Sequence, residues 1–187
     1  MTNDPNRPGP QGPVTLETAR LALLPCGLEP LQVLCTSPAE FENLFQVGLA
    51  EGYVEGEGAL EYAVERMLEN PTQAGWWAPL LLVHREDRQV IGLGGFRGPP
   101  VDGAVEIGFG VAPAYRGRGL AGEACQAMVD WALADPHIQV VRAHTLAEKG
   151  ATTAILTRCG LRKVAELLDG EDGLIWRWER EKLGRGE

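Results

Sequence analysis

Hydrophobic positions change their period along the chain, and each change marks an element. The stretch "VTLETARLALLPC" (14 to 26) has the alternation of a first strand and stops at Pro25. Helical spacing follows at about 29 to 37 and again at 58 to 70, where Leu60, Val64 and Leu68 share a face and Asn70 with Pro71 ends the run. In "WWAPLLLVHREDRQVIGLGGF" (76 to 96) two apolar runs flank a polar turn, which predicts a hairpin whose first strand begins at Trp76 and Trp77. "AVEIGFGV" (104 to 111) alternates cleanly, and a helix from about 119 to 134 sets Leu120, Ala124, Met128 and Trp131 on one face. "IQVVRAHT" (138 to 145) reads as a strand, and a short helix (about 149 to 159) ends at Gly160. "LRKVAELL" and "LIWRWER" close a last hairpin around "DGEDG".

The order is β-α-α-β-β-β-α-β-α-β-β. Its hairpins demand antiparallel pairs, while the strand at 104 to 111, its helix and the strand at 138 to 145 form one right-handed unit with a parallel pair. The prediction is a single α/β domain over 14–183: a mixed, mostly antiparallel sheet flanked by helices. "MTNDPNRPGPQGP" (1–13) is dense in Pro, Gly and Asn and reads as a disordered tail.

Composition narrows the partners. With 44% hydrophobic residues and no apolar run near the ~20 residues a membrane helix needs, no membrane association is expected. The net charge of -9 argues against nucleic acid. The start has no secretory signal pattern, so a cytoplasmic location is the expectation. Cys26, Cys35, Cys125 and Cys159 have no CxxC spacing, and neither a disulfide nor a metal site is expected of them.

The chemistry begins at "VAPAYRGRGLAGEA" (111 to 124), between the alternating strand and the long helix. A helix N-terminus leaves backbone N–H groups unpaired and carries partial positive charge, so it attracts phosphates. Gly117, Gly119 and Gly122 permit a tight path and close approach, and Arg116 and Arg118 add forked donors. The loop is suited to a pyrophosphate. Its glycines also satisfy G-x-G-x-x-G, which leaves an NAD-binding oxidoreductase as an alternative. Against that, "APAYR" separates the strand from the first glycine, hairpins come before the unit, and the next strand ends in His144 and Thr145 with no acid for a ribose.

Arg116-Gly117-Arg118-Gly119-Leu120-Ala121 resembles the R/Q-x-x-G-x-G/A signature of the GNAT superfamily of acetyl-coenzyme A dependent N-acetyltransferases. The resemblance runs from about 14 to 180. "TARLALLP", "VEIGFGVAPAYRGRGLAGEA" and "AEKGATTAILTRCGL" look like segments of the subgroup that acetylates N-terminal alanines of ribosomal proteins. It implies that the amides of this loop hold the pyrophosphate of acetyl-CoA, that the strands at 104 to 111 and 138 to 145 splay to admit the pantetheine arm, and that a backbone N–H near Val111 faces the thioester carbonyl. Lys149 and Thr152 stand where the family carries Asn and Ser near the coenzyme. Leu156 stands where many members carry a tyrosine acid, so no tyrosine acid is expected there.

At the acceptor end, an amine attacks a thioester only as the free base. In "AVEIGFGV", Val105, Ile107, Phe109 and Val111 share one face, leaving Glu106, Gly108 and Gly110 on the other: a carboxylate followed by open space. Glu106 is the preferred general base, His144 is the rival, and water alone is a third option. Glu51, Glu55, Glu57 and Glu61, with Trp76 and Trp77, are candidates to border a cationic amine. The expected reaction is direct transfer, in a ternary complex, from acetyl-CoA to a primary amine on a protein N-terminus or a small cationic molecule. A non-catalytic acyl-CoA-binding module is the other alternative, and the oligomeric state is open, a homodimer included.

Overall fold

The computed structural model describes residues 12–54 and 58–183. Eleven residues of the expected tail, 1–11, lie outside them; Pro13 is buried, and Gly12 runs against the backbone of Gly75 and Trp76. The first apolar stretch divides into β1 (Leu16–Glu17) and β2 (Leu21–Pro25), because Thr18 turns the chain: its N–H donates to the Leu21 carbonyl, and Leu21 N–H donates to Thr18 Oγ1. Next come α1 (Leu28–Thr36), α2 (Pro38–Phe45), β3 (Gly48–Leu49) and α3 (Ala59–Glu69). A short helix α4 (Ala74–Trp77) leads into β4 (Leu80–His84) and β5 (Gln89–Phe96). Then follow β6 (Ala104–Val111), α5 (Leu120–Ala134), β7 (Val140–Leu146), α6 (Ala151–Arg158), β8 (Arg162–Asp169) and β9 (Gly173–Glu181).

The strands form one sheet in the order β1-β2-β4-β5-β6-β7-β9-β8, with β3 paired parallel to the start of β5. All neighbours along the main path are antiparallel except β6 and β7. The sheet therefore agrees with the expected mixed class. Helix α5 covers one face through Leu120, Ala124, Cys125, Met128 and Val129, packed with Ile107 and Val141. Helices α1 to α3 cover the other through Leu31, Leu34, Phe41, Leu60 and Met67, packed with Leu81 and Val90. Strand β4 lies between both layers and is apolar on both sides, which is why its sequence shows no alternation.

Three local readings change. Helix α2 went unread: of its eight residues only Phe41 is buried, and that leaves no period to detect. Trp76 and Trp77 belong to α4 rather than to the following strand, since Pro79 disfavours helix at Ala78 and ends that turn. In α3 the buried stripe is Leu60, Ala63 and Met67, while Leu68 is 56% exposed. The helix is rotated so that Leu68 faces outward beside α1 instead of toward the sheet.

Candidate active site

The loop after β6 is held from two sides. Tyr115 is buried, and its hydroxyl donates to Asp87 Oδ2 at 2.7 Å, tying the loop to the β4–β5 turn; His84 Nδ1 lies 3.1 Å from the same carboxylate oxygen. Burial first, then the bond to Asp87, raises the Tyr115 hydroxyl above its ordinary pKa. From the other side, Arg20 Nη1 donates to the Arg118 carbonyl at 2.8 Å, while Glu123 in the first turn of α5 accepts from Thr18 Oγ1 (2.5 Å), Arg20 N–H (2.8 Å) and Arg20 Nε (2.7 Å). Burial alone would raise the Glu123 carboxyl, but these donors outweigh it and hold the group below its ordinary value.

Between these anchors Arg116, Gly117, Arg118 and Gly119 are exposed. Gly117 (φ 72°) and Gly119 (φ 79°) take the left-handed conformation that favours glycine, and nothing lies within 4 Å of where a Gly117 side chain would start. Gly119 is the N-cap of α5 and no side chain caps the helix; the first bond closing back onto the cap is Glu123 N–H to Gly119 O. The amides of Leu120 and Ala121 thus begin the helix without an intrahelical acceptor, at its positive end. Arg118 stacks its guanidinium 5.0 Å above the Tyr115 ring, and Arg116 Nε donates to the Val111 carbonyl at 3.2 Å. Gly122 packs toward Ile155 of α6, so the third glycine of the G-x-G-x-x-G spacing serves helix packing. With a mixed, hairpin-rich sheet, the dinucleotide alternative loses its structural context.

Strands β6 and β7 part company early. Their pairing covers Ala104–Val140, Val105–Val141 and Glu106–Arg142, yet β6 runs on to Val111 and β7 to Leu146. Beyond Glu106 there is a gap. On its far side β6 bonds to β5: Arg97 N–H donates to Glu106 O and Ala112 N–H to Ile91 O. An antiparallel ladder alternates its bonded pairs, so the even-numbered residues of β6 face β5 and the N–H groups of Phe109 and Val111 turn toward the gap.

Glu106 and His144, separate candidates in the sequence, meet at the start of this gap: His144 Nδ1 is 3.1 Å from Glu106 Oε1, both side chains being about a quarter exposed (27% and 28%). The parallel register explains it. Glu106 lies opposite Arg142, and His144 follows two residues later on the same face. Arg97 Nε approaches the same oxygen at 3.5 Å. Lys149 and Thr152 are both exposed at the start of α6; the buried residue of that turn is Thr153, whose Oγ1 accepts from Gly150 N–H. Leu156 is fully buried in the α5 layer. Cys125 and Cys159 are buried free thiols; the hydrogen bond between them and burial push Cys125 far above ordinary thiol values, and burial pushes Cys26 up to about 12. Cys125 and Cys26 are thus poor nucleophiles, while the hydrogen bond from Cys125 lowers the Cys159 thiol.

On the open face of β6 lies a cleft of about 370 Å³, between β5–β6 and the start of α3. Tyr53, Tyr62 and Trp77 contribute its aromatic walls, and Arg97 is the one charged residue among the described lining residues. Tyr53, Tyr62 and Arg97 carry no signal in the sequence, because each comes from a different element. Of the acidic candidates, Glu61 lines grooves on the α1 side instead, Glu51 is exposed, and Glu55 and Glu57 lie outside the described residues. Trp76 is core, stacked edge-on to Phe96 at 5.4 Å.

The fold and this loop recur in known proteins. The chain is similar to the ribosomal-protein-S5-alanine acetyltransferase of Vibrio fischeri (TM-score 0.67, 12% identity, covering 94% of this chain and 100% of that one). It is also similar to RimL, a ribosomal L7/L12 alpha-N-protein acetyltransferase in complex with coenzyme A (0.65, 15%, 89% and 97%), and to the microcin C7 self immunity acetyltransferase MccE in complex with acetyl-CoA and AMP (0.62, 14%, 88% and 93%). No curated protein matches by sequence. At these identities the structures speak for the fold, whereas the family description "Acetyltransferase (GNAT) domain" matches residues 34–162, most of the chain and both sides of the gap. The chain therefore belongs to the GNAT acetyltransferases, which draw their acetyl group from acetyl-CoA.

Proposed function

We propose that this chain transfers the acetyl group of acetyl-CoA directly to a primary amine in a ternary complex, with Glu106 as the proton acceptor. The observation that carries this reading is the Glu106–His144 pair standing where β6 and β7 separate. The residues present fit acetyl-CoA. The amides of Gly117, Gly119, Leu120 and Ala121, at the positive start of α5, suit its pyrophosphate, with Arg116 and Arg118 alongside. Lys149, just before α6, and Thr152, in its first turn, are exposed and available to the coenzyme. The gap beyond Glu106 suits the pantetheine arm.

Bound acetyl-CoA supplies an activated acyl carbon. The Val111 N–H, turned from β5 into the gap, donates to the carbonyl oxygen as negative charge gathers on it. The amine nitrogen forms the new N–C bond as the C–S bond breaks, and the coenzyme leaves as a thiolate that takes a proton from solvent. The proton lost by the amine passes along a chain of waters in the gap to the Glu106 carboxylate. His144 orients that carboxylate through Nδ1. The acceptor is a primary amine on a protein N-terminus or a small molecule; an α-amine, with a pKa near ~7.8, asks less of the base than a lysine near ~10.4.

Steady-state release of coenzyme A, with calorimetric titration of acetyl-CoA, tests this in Glu106→Gln. The expected result is turnover reduced on the order of 100-fold with coenzyme affinity kept. Undiminished turnover removes Glu106 from the mechanism.

A further inference from the structure

The acceptor cleft combines features that the transfer step itself does not require. Its walls carry Tyr53, Tyr62 and Trp77, and among the described lining residues the one charged group is the cation Arg97, with the Glu106 carboxylate 3.5 Å from its Nε. Arg97 is held in place from beneath. Its backbone N–H is bonded to the Glu106 carbonyl, and its guanidinium lies over Gly108, with Nε 3.4 Å and Nη2 3.5 Å from where a side chain at 108 would begin. The missing side chain thus makes the seat for the arginine fork. Its Nε–Glu106 approach, at 3.5 Å, is too long for a strong bond, and its Nη groups have no hydrogen-bond acceptor among the described residues. The Arg97 side chain is 68% exposed, so its donors are open to a ligand.

The second wall tells the same story. Trp77 sits against Gly98, where any side chain would fall 2.7 Å from the indole, and its Nε1 is buried with no acceptor among the described residues. The described lining residues therefore present flat apolar surface and the exposed donors of one cation.

Resting on the acetyltransferase reading above, we propose that Arg97 selects the acceptor: an amine with a flat apolar body that carries an anionic group, carboxylate or phosphate, at the end away from the reacting nitrogen. The Gly108 seat and the Val111 amide are three residues apart on β6, about 10 Å at ~3.3 Å per residue, which sets the span between anion and amine. An α-amino acid is too short to bridge it. A polyamine would bring its far ammonium against the Arg97 guanidinium.

Four probes with one reacting amine each at its end test this: 4-(2-aminoethyl)benzoate, tyramine O-phosphate, tyramine and spermidine. The expected result is kcat/KM, read as coenzyme A release, at least ~10-fold higher for the carboxylate or the phosphate probe than for tyramine, with spermidine lowest. The carboxylate and phosphate arms then distinguish the two sources of negative charge. In Arg97→Gln the ratio of anionic probe to tyramine should fall to near one. Because it is taken within one variant, a general loss of activity does not imitate it. Equal use of tyramine and both anionic probes, a preference for spermidine, or a ratio that survives Arg97→Gln overturns the proposal. If no amine is acetylated although acetyl-CoA binds, the catalytic reading fails; calorimetric affinities of the same probes in the presence of coenzyme A still decide the role of Arg97, by the same ratios.

Discussion

At the proposed coenzyme end of the gap, the groups open to a ligand are mostly main-chain amides, those of Gly117 to Ala121 and of Val111; at the proposed acceptor end they are side chains, Tyr53, Tyr62, Trp77 and Arg97, drawn from four separate parts of the chain. The difference teaches how each end is specified. Backbone donors need only a path, and two left-handed glycines before a helix define that path within a few residues. Side-chain walls need the whole sheet and α3 to be in place first. The proposed coenzyme end is thus set by a short stretch of chain, while the proposed acceptor end depends on the assembled fold.

The sharpest way to break the comparison is at its boundary, where Glu106 and His144 touch. If they act as a unit, Glu106→Gln and the double variant with His144→Gln should lose similar amounts of turnover, on the order of 100-fold, instead of the product of two independent losses. Multiplying losses in the measured kcat would show two independent residues.

A smaller effect is expected from the backbone side. Gly119→Ala places a Cβ on a left-handed residue, at about 1–2 kcal/mol, and should weaken acetyl-CoA binding up to ~10-fold in calorimetry while leaving the acceptor KM alone. An acceptor KM that moves with it would mean that the two ends are not separable.

Glu123 supports the coenzyme end electrostatically, and its effect has a definite sign. Its folded pKa lies below the ordinary carboxylate value, so its contribution is present above the unfolded pKa and is lost as pH falls through the folded one. With the side chain 17% exposed, Glu123→Gln should lower stability by about 1 kcal/mol at pH 7. In urea titrations the gap between wild type and variant should close on acidification below ~pH 4. A gap that persists there would assign the loss to packing.

The smallest change is Tyr115→Phe, which removes the bond to Asp87 but keeps a ring beneath Arg118. A loss of about 0.5–1 kcal/mol in thermal or urea unfolding is expected, with at most a few-fold weaker coenzyme binding. A larger fall in affinity would make this tether, rather than the glycine path, the main determinant of the loop.

Several elements were legible because local chemistry specifies them. The run 104–111 alternates on one half-buried strand, and β6 occupies Ala104–Val111; Gly160 (φ 82°) follows the end of α6 as its spacing implies. Where burial is two-sided or slight, the pattern is silent: β4 shows no alternation because both its faces are covered, and α2 buries only Phe41. The grouping of Val64 and Leu68 with Leu60 failed because a helical stripe does not say which flank meets the sheet.

The sequence by itself determined the order of strands and helices from β4 onward and the glycine-rich start of α5, because both depend on preferences that act within about ten residues. Only the tertiary structure decided that Glu106 meets His144, that β6 leaves β7 after three paired residues, and that Arg97 lies over Gly108. Those facts hang on strand register and on contacts between segments far apart in the chain, and no local periodicity encodes a register until the partner strand is in place.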